Sequence, residues 1–269
     1  MTFLHKKSLG QNFLNSPVVP KAMCDAAAVS AGETVVEIGP GTGALTAELL
    51  ERGACVIALE ADERAIEVLR ERFASVCETG QLTVLHYDVR DWNPDTFLTS
   101  DQPFKVVANI PYYLSGFLFR SVLSCERQPN CLVFLVQKEV AKRAASSHAH
   151  GEKESLLSLS VQAYGKPEYV RAVSKSHFTP APKVDSGIIA VRNISRDKLT
   201  DIDEELFFTI LHLGFGQKRK QLLGNLAATY SREELIHSFS TLSLDPTVRA
   251  EDMPLEKWLA LTRLLATHG

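Results

Sequence analysis

No apolar run in the sequence reaches the roughly 18 residues that a membrane-crossing helix needs. Met1 to Leu14 carry a basic pair with no apolar stretch behind it, so no secretory signal is expected. Cysteine is sparse: Cys24, Cys55, Cys77, Cys125 and Cys131 are odd in number and form no C-x-x-C pair. Such usage argues against a disulfide framework or a zinc site and for a reducing, cytoplasmic setting. The histidines suggest no metal either, since His148 and His150 lie in a polar stretch and the other six are dispersed. A surplus of positive charge is also missing. The formal net charge is −3, so any nucleic-acid contact has to come from local patches. Three patches qualify: Lys6-Lys7, Lys138 with Lys142-Arg143, and Lys218-Arg219-Lys220. Without an obvious apolar seam, a monomer is expected.

What is present is an ordinary globular composition, with 45% hydrophobic and 23% charged residues. A length of 269 residues allows one large core and a small satellite domain. Short β-branched runs alternate with helical patterns through the first half. The runs are Thr34 to Ile38, Cys55 to Leu59, Leu82 to Tyr87, Lys105 to Ala108 and Cys131 to Val136. The helical patterns include Leu45 to Arg52, Asp62 to Ala74 and Ser115 to Leu123, with Asp62 and Ser115 as candidate N-caps. Alternation of this kind predicts a mostly parallel sheet covered on both faces. Tyr169 to Val173 and Gly187 to Val191 are β-like and fit an antiparallel hairpin at the sheet edge. Ser147 to Glu154 reads as a mobile polar loop. Beyond Asn193 only helical spacing remains, and Ser231 with Glu234 forms a capping-box pattern. The expected architecture is an α/β Rossmann-like domain over residues 1–192, with a seven-stranded sheet, and a small all-helical domain over 193–269.

The first strand runs into Glu37-Ile38-Gly39-Pro40-Gly41-Thr42-Gly43-Ala44. Glycines at a strand–helix junction let backbone approach a ligand. The string fits a dinucleotide fingerprint, with Glu60 about 20 residues on, and equally the E-x-G-x-G-x-G loop of methyltransferases. Glu37 favours the second, because a carboxylate suits a methionine ammonium and repels a pyrophosphate. Glu60 ends the second strand, where it can accept bonds from both ribose hydroxyls. Asp88 follows the third and can accept a bond from an adenine amino group. Open α/β sheets bind ligands along these carboxyl ends.

The fourth strand ends in Asn109-Ile110-Pro111-Tyr112, followed by Tyr113. This resembles the [DNS]-P-P-[YFW] motif of amino-group methyltransferases. The Asn109 side-chain oxygen and the Ile110 carbonyl could accept the two N–H bonds of an adenine amino group. Pro111 would fix the direction of that carbonyl. The nitrogen lone pair, otherwise delocalised into the ring, would then be localised toward the methyl donor. Catalysis of this type is positioning and hydrogen-bond electrostatics. Tyr112 would stack on the unpaired or flipped base.

Further motifs carry a resemblance that runs nearly end to end. They are Lys7 to Leu14 (KSLGQNFL), Glu37 to Thr46 (EIGPGTGALT), Val136 to Arg143 (VQKEVAKR), Phe178 to Ser186 (FTPAPKVDS) and Phe215 to Leu222 (FGQKRKQL). With them the sequence resembles the ribosomal RNA adenine dimethyltransferase family, and most of all its bacterial 16S branch. The resemblance implies S-adenosyl-L-methionine as cofactor, held by Asn12, Leu14, Gly39, Gly41, Glu60, Asp88 and Asn109. Asn109, Pro111 and Tyr112 would be catalytic. The implied substrate is a pair of adjacent adenosines in the 3′-terminal hairpin of 16S rRNA, within an assembling 30S subunit. Lys138, Lys142, Arg143, Lys218, Arg219 and Lys220 would meet RNA phosphates. Ala181 stands for a family proline, Lys218 for an arginine, and Glu154-Ser155 for a usual Tyr-Gly step. Three rivals remain: a 23S rRNA adenine methyltransferase of the macrolide-resistance type, a non-catalytic ribosome-assembly factor, and a nicotinamide dehydrogenase.

Overall fold

The computed structural model describes residues 12–99 and 101–266. The basic pair Lys6-Lys7 and most of the KSLGQNFL stretch lie outside them. Two compact units form. One holds the residues up to Lys142 together with Lys166–Ile194; the other holds Arg143–Gly165 together with the chain from Ser195 onward.

In the first unit the strands are β1 (Phe13–Leu14), β2 (Thr34–Ile38), β3 (Cys55–Glu60), β4 (Leu82–His86), β5 (Phe104–Asn109), β6 (Cys131–Gln137), β7 (Lys166–Val173), β8 (Phe178–Thr179) and β9 (Ser186–Arg192). Seven of them form one sheet in the order β4-β3-β2-β5-β6-β9-β7. The five strands from β4 to β6 are parallel. The expected hairpin is present at the edge, where β9 runs against both β6 and β7, and β7 is outermost. β5 and β6 are buried along almost their whole length, which is why they read as continuous apolar runs. The helices are α1 (Val18–Ala26), α2 (Ala44–Glu51), α3 (Glu63–Arg72), α4 (Ala74–Glu78), α5 (Ser115–Ser124) and the start of α6 (Lys138–Ala145).

Asp62 caps α3, its side chain accepting from the Arg64 amide. Ser115 is not a cap. The preceding Tyr112–Leu114 forms a 3-10 turn that leads straight into α5, and the buried Ser115 hydroxyl donates back to the Tyr112 carbonyl at 2.8 Å. Strand order reverses at β2: β3 lies on one side and β5 on the other. The crevice above the carboxyl ends of β2 and β5 is therefore the place where a doubly wound sheet takes a ligand.

The second unit contains α7 (Leu156–Gln162), α8 (Glu204–Gly214), α9 (Leu222–Leu226), α10 (Arg232–Thr241) and α11 (Leu255–Ala266). The Ser231–Glu234 capping box forms as expected. Segment 143–165 clusters with these helices, where the sequence placed it with the sheet. The reason is local: Tyr164 stacks on Phe208 at 6.0 Å and donates to the Glu204 carboxylate. The stretch expected as a mobile loop is a built turn. Glu154, 4% exposed, accepts from the His148 amide (2.7 Å), the Ser158 hydroxyl (2.7 Å) and the Gln162 amide (2.9 Å). Ser155 and Ser158 add a capping box at the start of α7.

Candidate functional site

The crevice is a cavity of about 330 Å³, within the range of small-molecule sites. Its floor is the glycine loop between β2 and α2. Gly39, Gly41 and Gly43 all hold positive φ, at 65°, 57° and 83°. Gly41 is required twice over, because a Cβ there would lie 2.7 Å from the Phe13 ring. Phe13 is held in turn by β1, which pairs antiparallel with β8, Phe13 opposite Thr179 and Leu14 opposite Phe178. Asn15 secures the same segment, donating to the Thr179 hydroxyl at 3.0 Å.

Two buried carboxylates face this floor. Glu37 is 1% exposed and accepts from the Thr46 hydroxyl on α2 at 2.7 Å. Burial lifts its carboxyl to about 8; the Thr46 bond works against that rise and the charge of Glu60 adds to it. Glu60, 7% exposed, accepts from three backbone amides: Gly41 at 3.1 Å, and Ala61 and Asp62 at 2.9 Å each. Burial raises its carboxyl too, although those amides oppose the shift. The Gly41 bond ties the end of β3 to the tip of the glycine loop.

Asp88 lines the same cavity, but its carboxylate is already engaged. The Arg90 side chain grips it through Nε at 2.9 Å and through Nη2, and holds its carboxyl below the usual range. Nothing in the sequence pattern pointed to Arg90. Thr46 and Ser186 were missed as well, although each lies inside one of the motifs.

Asn109 ends β5. Its Nδ2 donates to the Asn12 carbonyl at 3.1 Å, which leaves Oδ1 as the acceptor turned away from that contact. Ile110, Pro111, Tyr112, Tyr113 and Leu114 continue the lining. Tyr112 is half-buried and its hydroxyl is 2.7 Å from that of Ser186 at the start of β9. The structure thus brings Asn12, Leu14, Gly39, Gly41, Glu60, Asp88, Asn109, Pro111 and Tyr112 to one cavity.

The basic candidates lie elsewhere. Lys138 is half-buried, while Lys142 and Arg143 are exposed. The Lys142 ammonium sits 5.9 Å from the centre of the Tyr169 ring. Lys218, Arg219 and Lys220 occupy an exposed turn between α8 and α9. That turn is anchored on both sides: Phe215 stacks on Trp258 and Leu222 is fully buried. Asn225 braces it from within, donating to the carbonyls of Gly214 (2.5 Å) and Gln217 (3.2 Å). Among the described residues no group of three or more His, Cys, Asp or Glu could hold a metal ion. Among them, too, no helix is long and apolar enough to cross a membrane.

The family model for ribosomal RNA adenine dimethylase matches residues 2–267. A ribosomal RNA small subunit methyltransferase A from Dehalococcoides mccartyi is 37% identical over 262 residues, 97% of this chain and 88% of the relative. One of the same name from Clostridium botulinum is 34% identical over 257 residues, 95% and 92% of the two chains. Among solved structures, a dimethyladenosine transferase from Plasmodium falciparum superposes with a TM-score of 0.79 at 24% identity, covering 95% of this chain and 98% of that one. The 23S rRNA methyltransferase ErmE superposes with a TM-score of 0.72 at 23% identity, covering 95% and 100%. These two likenesses speak for the fold.

Proposed function

The chain belongs to the ribosomal RNA adenine dimethylase family, and from that premise we propose that it carries two methyl groups to the N6 of each of two adjacent adenosines in the 3′-terminal hairpin of 16S rRNA, within an assembling 30S subunit. The methyl donor in this reading is S-adenosyl-L-methionine. The observation that carries the reading is the Asn109 amide, fixed by Asn12 at the carboxyl end of β5 beside the glycine loop.

The residues present suit that donor. Glu37 and Glu60 are buried carboxyls raised by burial, whose ionised forms a cationic, hydroxyl-bearing ligand would stabilise. Gly41 leaves room where a side chain would strike Phe13. Glu60 would hold the ribose, and Asp88 the adenine amino group, sharing its carboxylate with Arg90. Asn12 and Leu14 would close over the ligand. Bound there, S-adenosyl-L-methionine supplies an electrophilic methyl on a positively charged sulfur.

The protein's own part is alignment. Asn109 Oδ1 and the Ile110 carbonyl accept hydrogen bonds from the N–H groups of the target amino nitrogen and turn its lone pair toward the methyl, and one N–H proton leaves to solvent for each methyl gained. Pro111 keeps the Ile110 carbonyl in that direction. Tyr112, tethered at Ser186, presents its ring to the base. Preorganised acceptors of this kind need no rearrangement as charge develops. The basic turn 218–220 and the start of α6 hold phosphates.

The test is methyl transfer from labelled S-adenosyl-L-methionine to 30S subunits lacking this modification, with Asn109→Ala as control. About four methyls per subunit, lost in the variant, is the expected result. Labelling of 23S RNA in place of 30S would overturn the 16S assignment. Silence on both, with the donor still bound, would make the protein a non-catalytic assembly factor.

A further inference from the structure

Beside the cavity mouth lies an aromatic surface that the reaction above leaves unused. Tyr113 lines the rim of the cavity and is 65% exposed. Phe117, about one helical turn further on, is 41% exposed. Gly116 has no side chain, and a Cβ there would meet nothing within 4 Å. Arg120 is exposed on the following turn. Spacings of three, four and seven residues put these four on one face of the turn and α5. Soluble helices fill their outer face with polar side chains. Here that face offers two rings, a gap between them and a terminal positive charge. The other large hydrophobic residues found exposed among those described, Val18, Val184 and Ile236, are all aliphatic. Of the two aromatic side chains exposed among the described residues, Tyr113 lines the cavity and Phe117 follows it about one turn along α5.

We propose that Tyr113 and Phe117 form a stacking platform for the nucleobase covalently next to the target adenine. The inference rests on the RNA adenine reading given above. Its logic is continuity. A base that enters the cavity belongs to a strand, so its neighbour has to pass the rim that Tyr113 forms. Tyr112 cannot serve the neighbour, being half-buried and tethered to Ser186. A flat ring suits an open helix face, since every base has a π-face and needs no groove. A partner helix would need a groove in which to lay its apolar side. The Arg120 charge suits the adjoining phosphodiester.

The test compares wild type with Tyr113→Ala, Phe117→Ala, the double variant and Phe117→Tyr. The substrate for turnover is the 30S subunit lacking the modification. A second readout is the fluorescence of 2-aminopurine placed next to the target in a short RNA hairpin. Each alanine variant should raise KM for the subunit about tenfold, the double variant more, and Phe117→Ala, which lies outside the cavity lining, should leave kcat and S-adenosyl-L-methionine affinity unchanged. Phe117→Tyr should restore KM. Wild type should quench the 2-aminopurine, and the double variant should not. Active wild type with unchanged KM in the folded variants overturns the platform and leaves the reaction intact. A raised KM with undiminished quenching in the double variant also overturns it, because the patch then meets a protein. Wild type that methylates neither ribosomal RNA overturns the reaction and the platform together.

Discussion

The Asn109 side chain donates to the Asn12 carbonyl across 3.1 Å, joining the end of β5 to the segment just before β1. A planar amide offers one donating and one accepting edge. Once its nitrogen is committed to Asn12, its oxygen is committed to whatever enters from the cavity. On the proposed reading, Asn12 thus sets which edge of Asn109 would meet the substrate.

Asn109→Ala and Asn109→Asp separate these two roles. Alanine removes the acceptor and the tether, and kcat should fall by about 10²–10³, the usual effect of losing one preorganised hydrogen-bond partner. Aspartate keeps an acceptor but cannot donate to Asn12, and places a charge against that carbonyl. Its kcat should fall less than in the alanine variant. Single-turnover methyl transfer on 30S subunits measures both. Equal kcat in Asn109→Ala and wild type would remove Asn109 from the reaction.

The glycine loop allows a graded test. Gly39 and Gly41 both hold positive φ, so alanine at either is strained by about 1–2 kcal/mol. Around Gly39 a Cβ meets nothing within 4 Å, whereas at Gly41 it meets the Phe13 ring. Gly41→Ala should therefore lose more stability than Gly39→Ala, and should also displace β1 and weaken donor binding. Thermal unfolding and calorimetric titration with S-adenosyl-L-methionine give the ranking. The reverse order would show that Phe13 is free to move.

Much of this was legible in the sequence, and the misses have physical reasons. Parallel strands buried on both faces, such as β2, β5 and β6, write themselves as apolar runs, and β2 to β6 all lie within about a residue of the expected runs at each end. The glycine loop and Asn109-Ile110-Pro111-Tyr112 were legible because special backbone and hydrogen-bond needs restrict the residues allowed. Arg90 was not, since a salt bridge two residues along leaves no pattern. Ser186 was not assigned because its partner, Tyr112, lies 74 positions away. Ser115 has the residue type of a cap, but a preceding 3-10 turn takes that position.

Glu37 predicts a pH dependence. Its carboxyl titrates at about 8 in the folded chain against an ordinary value of 4.5. The folded state therefore keeps a proton that the unfolded chain gives up. The contribution to stability is full below 4.5, declines as pH rises through the window up to about 8, and is gone above it. Glu37→Gln cannot ionise and escapes that decline. Its stability relative to wild type should improve by about 1.4 kcal/mol per pH unit across the window. A parallel course of the two denaturation curves with pH would show that Glu37 is ionised throughout. If its carboxylate faces the donor's ammonium, binding below about pH 8 should release a proton in wild type and none in Glu37→Gln. Calorimetry in buffers of different ionisation enthalpy measures that release.

Glu154 anchors the turn that leads into α7. Its buried carboxylate gathers the His148 amide, the Ser158 hydroxyl and the Gln162 amide. Removing the acceptor takes a partner from all three, although the Ser158 hydroxyl keeps the Ser155 carbonyl at 3.0 Å and the Gln162 amide keeps the Ser146 carbonyl at 2.9 Å; an unpaired buried polar group costs about 1–3 kcal/mol. Glu154→Ala should lose about 1–3 kcal/mol in denaturant unfolding. Glu154→Gln should lose less, because its oxygen still accepts. Lys153, next in the chain, pairs with Asp252, and the Glu154 amide donates to the Glu251 carbonyl at 2.8 Å. The loss should therefore extend past the turn to the segment before α11, read as faster hydrogen exchange at both. Donor affinity should stay at the wild-type value, since none of these residues lines the cavity. A weakened donor affinity in folded Glu154→Ala would show that the carboxylate acts on the site at a distance.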